Sequence, residues 1–136
     1  MFYTKNGWNK FKFLDYQIFY KGFIFGLDKI KLKNEIVKNL IKKNNYNFFT
    51  KNFGNFTIII KSSSKCLLLS DSARSFPVYY TKINNLVYIS DNTKQIIQNM
   101  KKKEINNEIK LLALMSGYTI SNYTIFKKVF TVCAGQ

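Results

Sequence analysis

The sequence predicts an α+β fold in which antiparallel sheets are flanked by a few helices. Between Gly54 and Asp91, four short apolar runs rich in branched and aromatic residues are separated by polar turns, which is typical of strands joined by hairpins. Helical periodicity is confined to residues 28–43 and to stretches after Asp91. A chain of 136 residues is expected to form one domain, over residues 1–136.

The four apolar runs between Gly54 and Asp91 are predicted to form the central strands of the fold. The first two, at 56–60 and 66–69, are almost continuously apolar, which indicates strands that are covered on both faces. Three earlier strands with alternating side chains are predicted at 2–4, 11–14 and 17–25.

The first predicted helix spans residues 28–43. Asp28 is suited to its N-cap, and its apolar residues fall on one face while its lysines fall on the other. The apolar positions are Leu32, Ile36, Val37, Leu40 and Ile41.

Two further helices are predicted near the end of the chain. A short one follows a cap at Asp91 or Asn92 and is expected to bury Ile96, Ile97 and Met100. The other spans 107–116, ends at Gly117, and has Ile109, Leu112 and Ala113 on one face.

Composition excludes several classes of protein. No run of about 18 apolar residues is present and the N-terminus lacks a secretory signal, so we expect a cytoplasmic protein. Cys66 and Cys133 lie among apolar residues, which predicts two buried thiols rather than a disulfide. The chain has no histidine, the commonest general base and metal ligand, and we expect neither a metal nor a cofactor.

The net charge of +15 has three interpretations. One is a nucleic-acid or anionic-surface binder. Another is coding bias, because Arg74 is the only arginine and the chain is rich in Lys, Asn, Ile, Phe and Tyr, as AT-rich coding favours. The third is a basic face that docks on an acidic partner.

The motifs of the central stretch occur in a particular order. These are Gly54-Asn55-Phe56 opening one strand, Asp71 closing the next, Pro77-Val78-Tyr79-Tyr80 in the third and Ser90-Asp91 ending the fourth. The order and spacing resemble the second half of the class-II glutamine amidotransferase domain at the front of asparagine synthetases. Ser70 departs from the family's arginine, and Arg74 and Ser75 stand where a loop glycine is expected. The tail also resembles the segment that leaves this domain, through Gly117-Tyr118, Thr124-Ile125-Phe126 and Ala134-Gly135.

The resemblance implies an αββα sandwich of the N-terminal-nucleophile hydrolase type, trimmed in its first half. In the family, residues corresponding to 117–136 lead into an ATP-dependent synthetase domain. The family's nucleophile is a cysteine after the initiator methionine, but Phe2 stands there, and Thr4 could act only after trimming. No arginine of a glutamine clamp precedes Arg74, and residues 25–27 replace the expected Asn-Gly-Glu.

We therefore expect a catalytically inactive amidotransferase-like domain that supports an asparagine synthetase-like, amide- or lactam-forming partner. No ammonia release from glutamine is expected, and no residue is assigned a catalytic, cofactor-binding or metal-binding role. The motif residues expected to be structural are Gly54, Phe56, Asp71, Pro77, Tyr79, Tyr80, Ser90, Gly117 and Tyr118. The residues expected to face the partner are Thr124, Phe126 and Phe130.

Two alternatives come from other functional classes. One is a basic nucleic-acid-binding module that stacks bases on Tyr79, Tyr80 and Tyr88. The other is a hydrolase with an unrecognised nucleophile.

Overall fold

The computed structural model describes residues 2–3 and 7–135, and the chain divides into two compact units. Unit 1 draws on residues 1–6 and 77–133, and unit 2 on residues 7–76 and 134–136. The observed class is α+β, with two four-stranded sheets in which antiparallel pairing predominates, and this confirms the predicted class. Thr4 ends a predicted strand and is the residue that could act as a nucleophile only after trimming. It lies outside the described residues.

The sheet of unit 2 is a meander of four antiparallel strands in the order β2-β3-β4-β5. Its strands are β2 (Asn9–Phe13), β3 (Tyr16–Ile24), β4 (Gly54–Lys61) and β5 (Cys66–Ser70). Every residue of β4 from Phe56 to Ile60 is buried. Successive side chains of a strand point to opposite faces, so both faces of β4 are covered, as its continuous apolar sequence predicted.

Helices lie on the sheet of unit 2. They are α1 (Lys29–Glu35), a π-helical segment (Ile36–Lys42) and the short α2 (Asn47–Lys51). The Asp28 carboxylate caps α1 as predicted, accepting hydrogen bonds from the N–H groups of Ile30 at 2.9 Å and Lys31 at 2.8 Å. The core of the unit joins Leu32, Ile36 and Leu40 from the helices to inward-facing residues of the sheet. These sheet residues include Ile18, Tyr20, Phe56, Ile58 and Ile60.

The helix predicted over 28–43 is confirmed in its extent, since α1 runs directly into the π-helical segment, but its second half is π-helical and not α-helical. The buried Asn39 accounts for the change. Its side-chain amide donates to the carbonyl of Glu35 at 3.2 Å and to the carboxylate of Glu35 at 2.6 Å. It thereby competes for the carbonyl that the N–H of residue 39 would use in an α-helix. The bond from the Lys43 N–H to the carbonyl of Lys38, at 3.2 Å, spans five residues.

The Tyr20 hydroxyl has no hydrogen-bond partner among the described residues, although its side chain is 1% exposed. A buried hydroxyl without a partner costs stability, and burial also raises the pKa of Tyr20. We expect Tyr20→Phe to raise the free energy of unfolding by about 1 kcal/mol and the Tm by about 4 °C. Because the folded pKa is raised, the unfolded chain ionises at this tyrosine more readily, and the parent protein loses stability as the pH rises above about 10. The advantage of the variant should therefore grow at alkaline pH.

Thermal unfolding at pH 7 and pH 10.5 measures both effects. Tyr46→Phe is the matched control, because the Tyr46 side chain is 37% exposed and its hydroxyl reaches water. A loss of stability in Tyr20→Phe would show that the hydroxyl has a partner in solution.

The sheet of unit 1 has the order β1-β7-β6-β8. Its strands are β1 (Phe2–Tyr3), β6 (Tyr79–Ile83), β7 (Leu86–Ser90) and β8 (Phe130–Thr131). The pairing of β1 with β7 is parallel, and the other two pairings are antiparallel. Asn84 and Asn85 have φ angles of 49° and 62° and form the two-residue hairpin turn, for which asparagine is favoured.

Two helices complete unit 1. Helix α3 (Thr93–Gln98) is capped by Asn92, whose side-chain oxygen accepts from the Lys94 N–H at 3.0 Å. It packs against β6 and β7 and buries Ile96. Helix α4 spans Asn107–Ser116, the bounds that the sequence predicted. Within the described residues, no helix is long and apolar enough to cross a bilayer.

Candidate docking surface

Helix α4 has a cap at each end, and among the described residues its apolar side chains are exposed. The Asn106 side chain accepts a hydrogen bond from the Ile109 N–H at 3.3 Å, and Gly117, with a φ of 80°, closes the helix. Between the caps, Leu, Ala, Met, Lys and Glu are strong helix formers. None of the ten residues of α4 is buried.

The exposed apolar residues of α4 follow a helical stripe. Leu111 is 59% exposed, Leu114 74% and Met115 77%, and their spacing of three and four places them on one side of the helix. The face predicted to pack inward is only partly covered, since Leu112 remains 39% exposed. Single exposed leucines are normal, but neighbouring large apolar side chains on one face mark an interaction site.

The apolar exposure continues in the chain that follows α4. Tyr118 is 66% exposed, Ile120 49% and Tyr123 48%. The Ser116 hydroxyl donates to the carbonyl of Tyr118 at 3.0 Å and so holds this residue against the last turn of the helix. We call Leu111, Leu114, Met115, Tyr118, Ile120 and Tyr123 together the α4 surface.

Exposed basic residues lie close in sequence to the α4 surface. Lys110 lies on the helix itself, and Lys103 and Lys127 are also exposed. Residues 100–135 contain two carboxylates, Glu104 and Glu108. The Glu104 carboxylate lies 3.2 Å from the Lys102 ammonium and 3.7 Å from that of Lys127. Its hydrogen bond and charge attraction to Lys102, with weaker attraction to Lys127, lower the pKa of Glu104.

The residues predicted to face a partner lie beside this surface, not within it. Thr124 is 6% exposed, and its hydroxyl bonds to the carbonyl of Val129 at 2.9 Å and accepts from the Phe126 N–H at 3.2 Å. It therefore orders a turn. Phe126 and Phe130 are half-buried, and the ring of Phe130 lies 5.7 Å from that of Tyr80. Helix α4 was predicted, but its exposed apolar face was not, because its leucines resemble those of an ordinary packed helix.

Three of the motif residues meet in unit 2. Gly54 lies opposite Ile24 in the β3–β4 pairing, and a Cβ on Gly54 would lie 2.7 Å from the Cα of Ile24, so only glycine fits. The buried Phe56 donates its N–H to Asp71 Oδ2 at 3.0 Å, and the Asp71 N–H donates to the carbonyl of Phe56 at 3.1 Å. These two hydrogen bonds join the first part of β4 to the residue that follows β5.

The other motif residues belong to unit 1. The buried Ser90 donates its hydroxyl proton to Gln95 Oε1 at 2.6 Å and accepts from the Asn92 N–H at 3.0 Å, so it links β7 to α3. Tyr79 pairs with Ser90 on one side and Thr131 on the other. Tyr79 and Tyr80 are half-buried, and Pro77 is exposed immediately before β6.

The cysteines do not form a reactive centre. The prediction of two buried thiols is wrong for Cys66, which is exposed at the start of the edge strand β5, while Cys133 is half-buried. Desolvation of the sulfur raises the pKa of the Cys66 thiol, and the nearby Lys61 ammonium opposes this less strongly. A raised pKa leaves little thiolate at neutral pH, and the thiolate is the reactive form.

In the described part of the chain, no three His, Cys, Asp or Glu residues lie close enough together to hold a metal ion. No protein-family model and no curated protein matches this sequence.

Proposed function

We propose that this chain is a degenerate amidotransferase-like domain whose role is to bind a partner protein through the α4 surface. The observation that carries the proposal is the exposed stripe of Leu111, Leu114 and Met115 on a helix that is capped at both ends. Burying one such side chain stabilises a complex by about 1.5–3 kcal/mol, so three neighbouring ones supply a substantial anchor.

The fold supports the amidotransferase-like part of the proposal. Each unit is a mainly antiparallel four-stranded sheet that carries a helical layer, formed by α1 in unit 2 and by α3 in unit 1. An αββα sandwich of the N-terminal-nucleophile hydrolase type is built from sheets and helical layers of this kind, so each unit taken by itself is compatible with the resemblance. The motif residues Gly54, Asp71 and Ser90 each hold a connection between strands or between strand and helix.

The residues present do not favour glutamine chemistry. Strands β2 and β3 contain no arginine that could clamp an α-carboxylate, and residues 25–27 read Phe-Gly-Leu. The chain also has no histidine. In this proposal the ATP-dependent formation of an amide or lactam belongs to an asparagine synthetase-like partner. We place the pair in the cytoplasm, a reducing compartment that would keep Cys66 and Cys133 as free thiols.

Charge selects the kind of partner. A chain with 22 basic and seven acidic residues repels a second copy of itself, and the exposed Lys103, Lys110 and Lys127 lie close in sequence to the apolar stripe. The surface therefore fits a protein that offers an apolar groove with an acidic rim. Such a rim would steer association and make its rate fall as salt rises.

The test begins with a photo-reactive amino acid placed at position 115. Cross-linking in the cells that make this protein is expected to trap one protein from position 115 and not from position 30. Ile30 is the matched control, because it is 74% exposed on a helix of unit 2. The trapped protein is then identified, purified, and titrated with the unmodified chain by calorimetry.

The triple variant Leu111→Gln, Leu114→Gln, Met115→Gln keeps helix propensity and removes the apolar stripe. We expect its Kd for the purified partner to rise at least about 30-fold, roughly 2 kcal/mol, with little change in Tm. Ile30→Gln should leave the Kd unchanged. No specific cross-link at position 115, a partner without an acidic surface, or a Kd within twofold of the original would each contradict the proposal.

A further inference from the structure

A cleft in unit 1 is lined by four lysines that come from three separate segments. Lys82, Ile83 and Asn84 contribute from the end of β6 and its turn, Met100, Lys101 and Lys102 from the segment after α3, and Lys128 from the turn before β8. The cleft has a volume of about 360 Å³, which lies within the range of small-molecule sites.

The number of lysines exceeds what composition alone provides. Lysine and arginine together make up 22 of 136 residues, so seven lining residues would include about one by chance, and this cleft has four. No carboxylate lines the cleft. Glu104 is the nearby counter-charge, through its 3.2 Å ion pair with Lys102.

The backbone around the cleft is fixed by internal hydrogen bonds. The hydroxyl of Thr81, which is fully buried, donates to the carbonyl of Lys128 at 2.6 Å and so ties the turn to β6. The Lys127 N–H donates to the carbonyl of Glu104 at 2.9 Å, which ties the same turn to the segment after α3. One side-chain hydrogen bond and one main-chain hydrogen bond thus hold the three lining segments together.

Lys128 occupies a position at which lysine is unfavourable. Its φ of 64° lies in the left-handed region, where a residue with a Cβ costs about 1 kcal/mol relative to glycine. Lys128 nevertheless lines the cleft, so glycine can be substituted there to remove the ammonium group without adding backbone strain.

We propose that this cleft binds a small anion that carries several phosphate groups. Four ammonium groups around one cleft lie within about one Debye length of a shared ligand and reinforce one another, whereas lysines elsewhere on the surface are screened. The half-buried side chains of Ile83 and Met100 supply an apolar part of the lining. The lysine ammonium groups would pair with the phosphate groups of the ligand, and the apolar part of the lining can contact a nucleobase. The site does not depend on the α4 surface or on the role proposed for it.

The experiment titrates the full chain with ATP and with inorganic tripolyphosphate by calorimetry at 50 mM and 150 mM salt. We expect both anions to bind and the affinity to fall as salt rises. Tighter binding of ATP than of tripolyphosphate assigns a nucleotide, with its base on Ile83 and Met100. Equal binding assigns a polyphosphate. Absence of binding at millimolar concentrations in the lower salt overturns the proposal.

Substitutions that are expected to weaken anion binding, and one that is expected to strengthen it, make the test specific. Lys128→Gly should weaken binding about threefold while leaving the Tm unchanged or higher, because glycine relieves the left-handed backbone. The double variant Lys82→Gln, Lys101→Gln should weaken binding about tenfold. Glu104→Gln should strengthen it about twofold, because it releases Lys102 and Lys127 from their ion pairs.

Lys29→Gln, in α1 of unit 2, is the control for net charge. It removes one charge, as Lys128→Gly does, and should leave the affinity unchanged. An equal effect of Lys29→Gln and Lys128→Gly would show that the whole positive surface attracts anions, and this would overturn the proposal. If the two variants had equal effects and a single-stranded RNA bound more tightly than ATP or tripolyphosphate, the result would favour non-specific nucleic-acid binding.

Discussion

Replacing Asp71 with alanine is expected to lower the free energy of unfolding by about 4 kcal/mol, one of the two largest effects predicted for this chain. The Asp71 carboxylate is 4% exposed. It accepts from the N–H groups of Phe56 at 3.0 Å, Ala73 at 2.8 Å and Ser75 at 3.1 Å, and from the Ser75 hydroxyl at 3.2 Å. Its loss would leave these donors without an acceptor.

Urea denaturation followed by circular dichroism measures this effect. Asp28→Ala is the control, because Asp28 also accepts two backbone N–H bonds but is exposed, and it should lose only about 1 kcal/mol. Asp71→Asn keeps the shape and one acceptor oxygen, so it should fall between the two. Equal losses in Asp71→Ala and Asp28→Ala would show that the buried network contributes no more than an ordinary cap.

Gly22→Ala is expected to be as damaging, with a loss of about 4 kcal/mol or failure to accumulate as folded protein. Gly22 has a φ of 90°, and an added Cβ would overlap the carbonyl oxygen of Asn55 on β4 and lie 2.6 Å from the ring of Phe76. The substitution therefore combines backbone strain with a collision that the strand pairing cannot relieve.

Gly26→Ala separates these two causes. Gly26 also has a positive φ, of 78°, but an added Cβ would meet no atom within 4 Å. We expect Gly26→Ala to lose about 1 kcal/mol, the cost of the left-handed conformation alone. If the two variants unfold at the same urea concentration, the close approach of β3 and β4 at Gly22 is not maintained in solution.

Features that depend on neighbouring residues were predictable from the sequence. The bounds of α4 follow from Asn106 and Gly117, which act through local hydrogen bonds and a single backbone angle. Asp28 was recognised as a cap for the same reason, and Asn92 as one of two candidates with Asp91. The buried strand β4 was predicted because five consecutive apolar or β-branched residues leave no polar face.

Features that depend on distant residues were not predictable. The π-helical segment arises because Asn39 is buried and turns its amide onto Glu35, which an amphipathic pattern does not reveal. Cys66 belongs to an apolar run, but that run forms an edge strand whose first residue is exposed.

The candidate sites also depend on residues that are distant in the sequence, and they were not predictable from it. A packed helix and an open one have similar sequences, so the exposure of Leu114 appears only once the fold is known. The basic cleft is assembled from three segments and has no linear motif. Thr124 has a plausible side chain for an interface, but its hydroxyl is occupied by the turn that contains it.

The parallel pairing of β1 with β7 has a consequence for synthesis on the ribosome. Phe2 pairs beside Ile89, so β1 has no partner strand until more than eighty further residues have been translated. All four strands of unit 2 lie within residues 7–76, and its sheet needs only short hairpins and one helical crossover. Unit 2 is therefore able to fold while the chain is still growing, whereas β1 remains without its partner strand until β7 emerges.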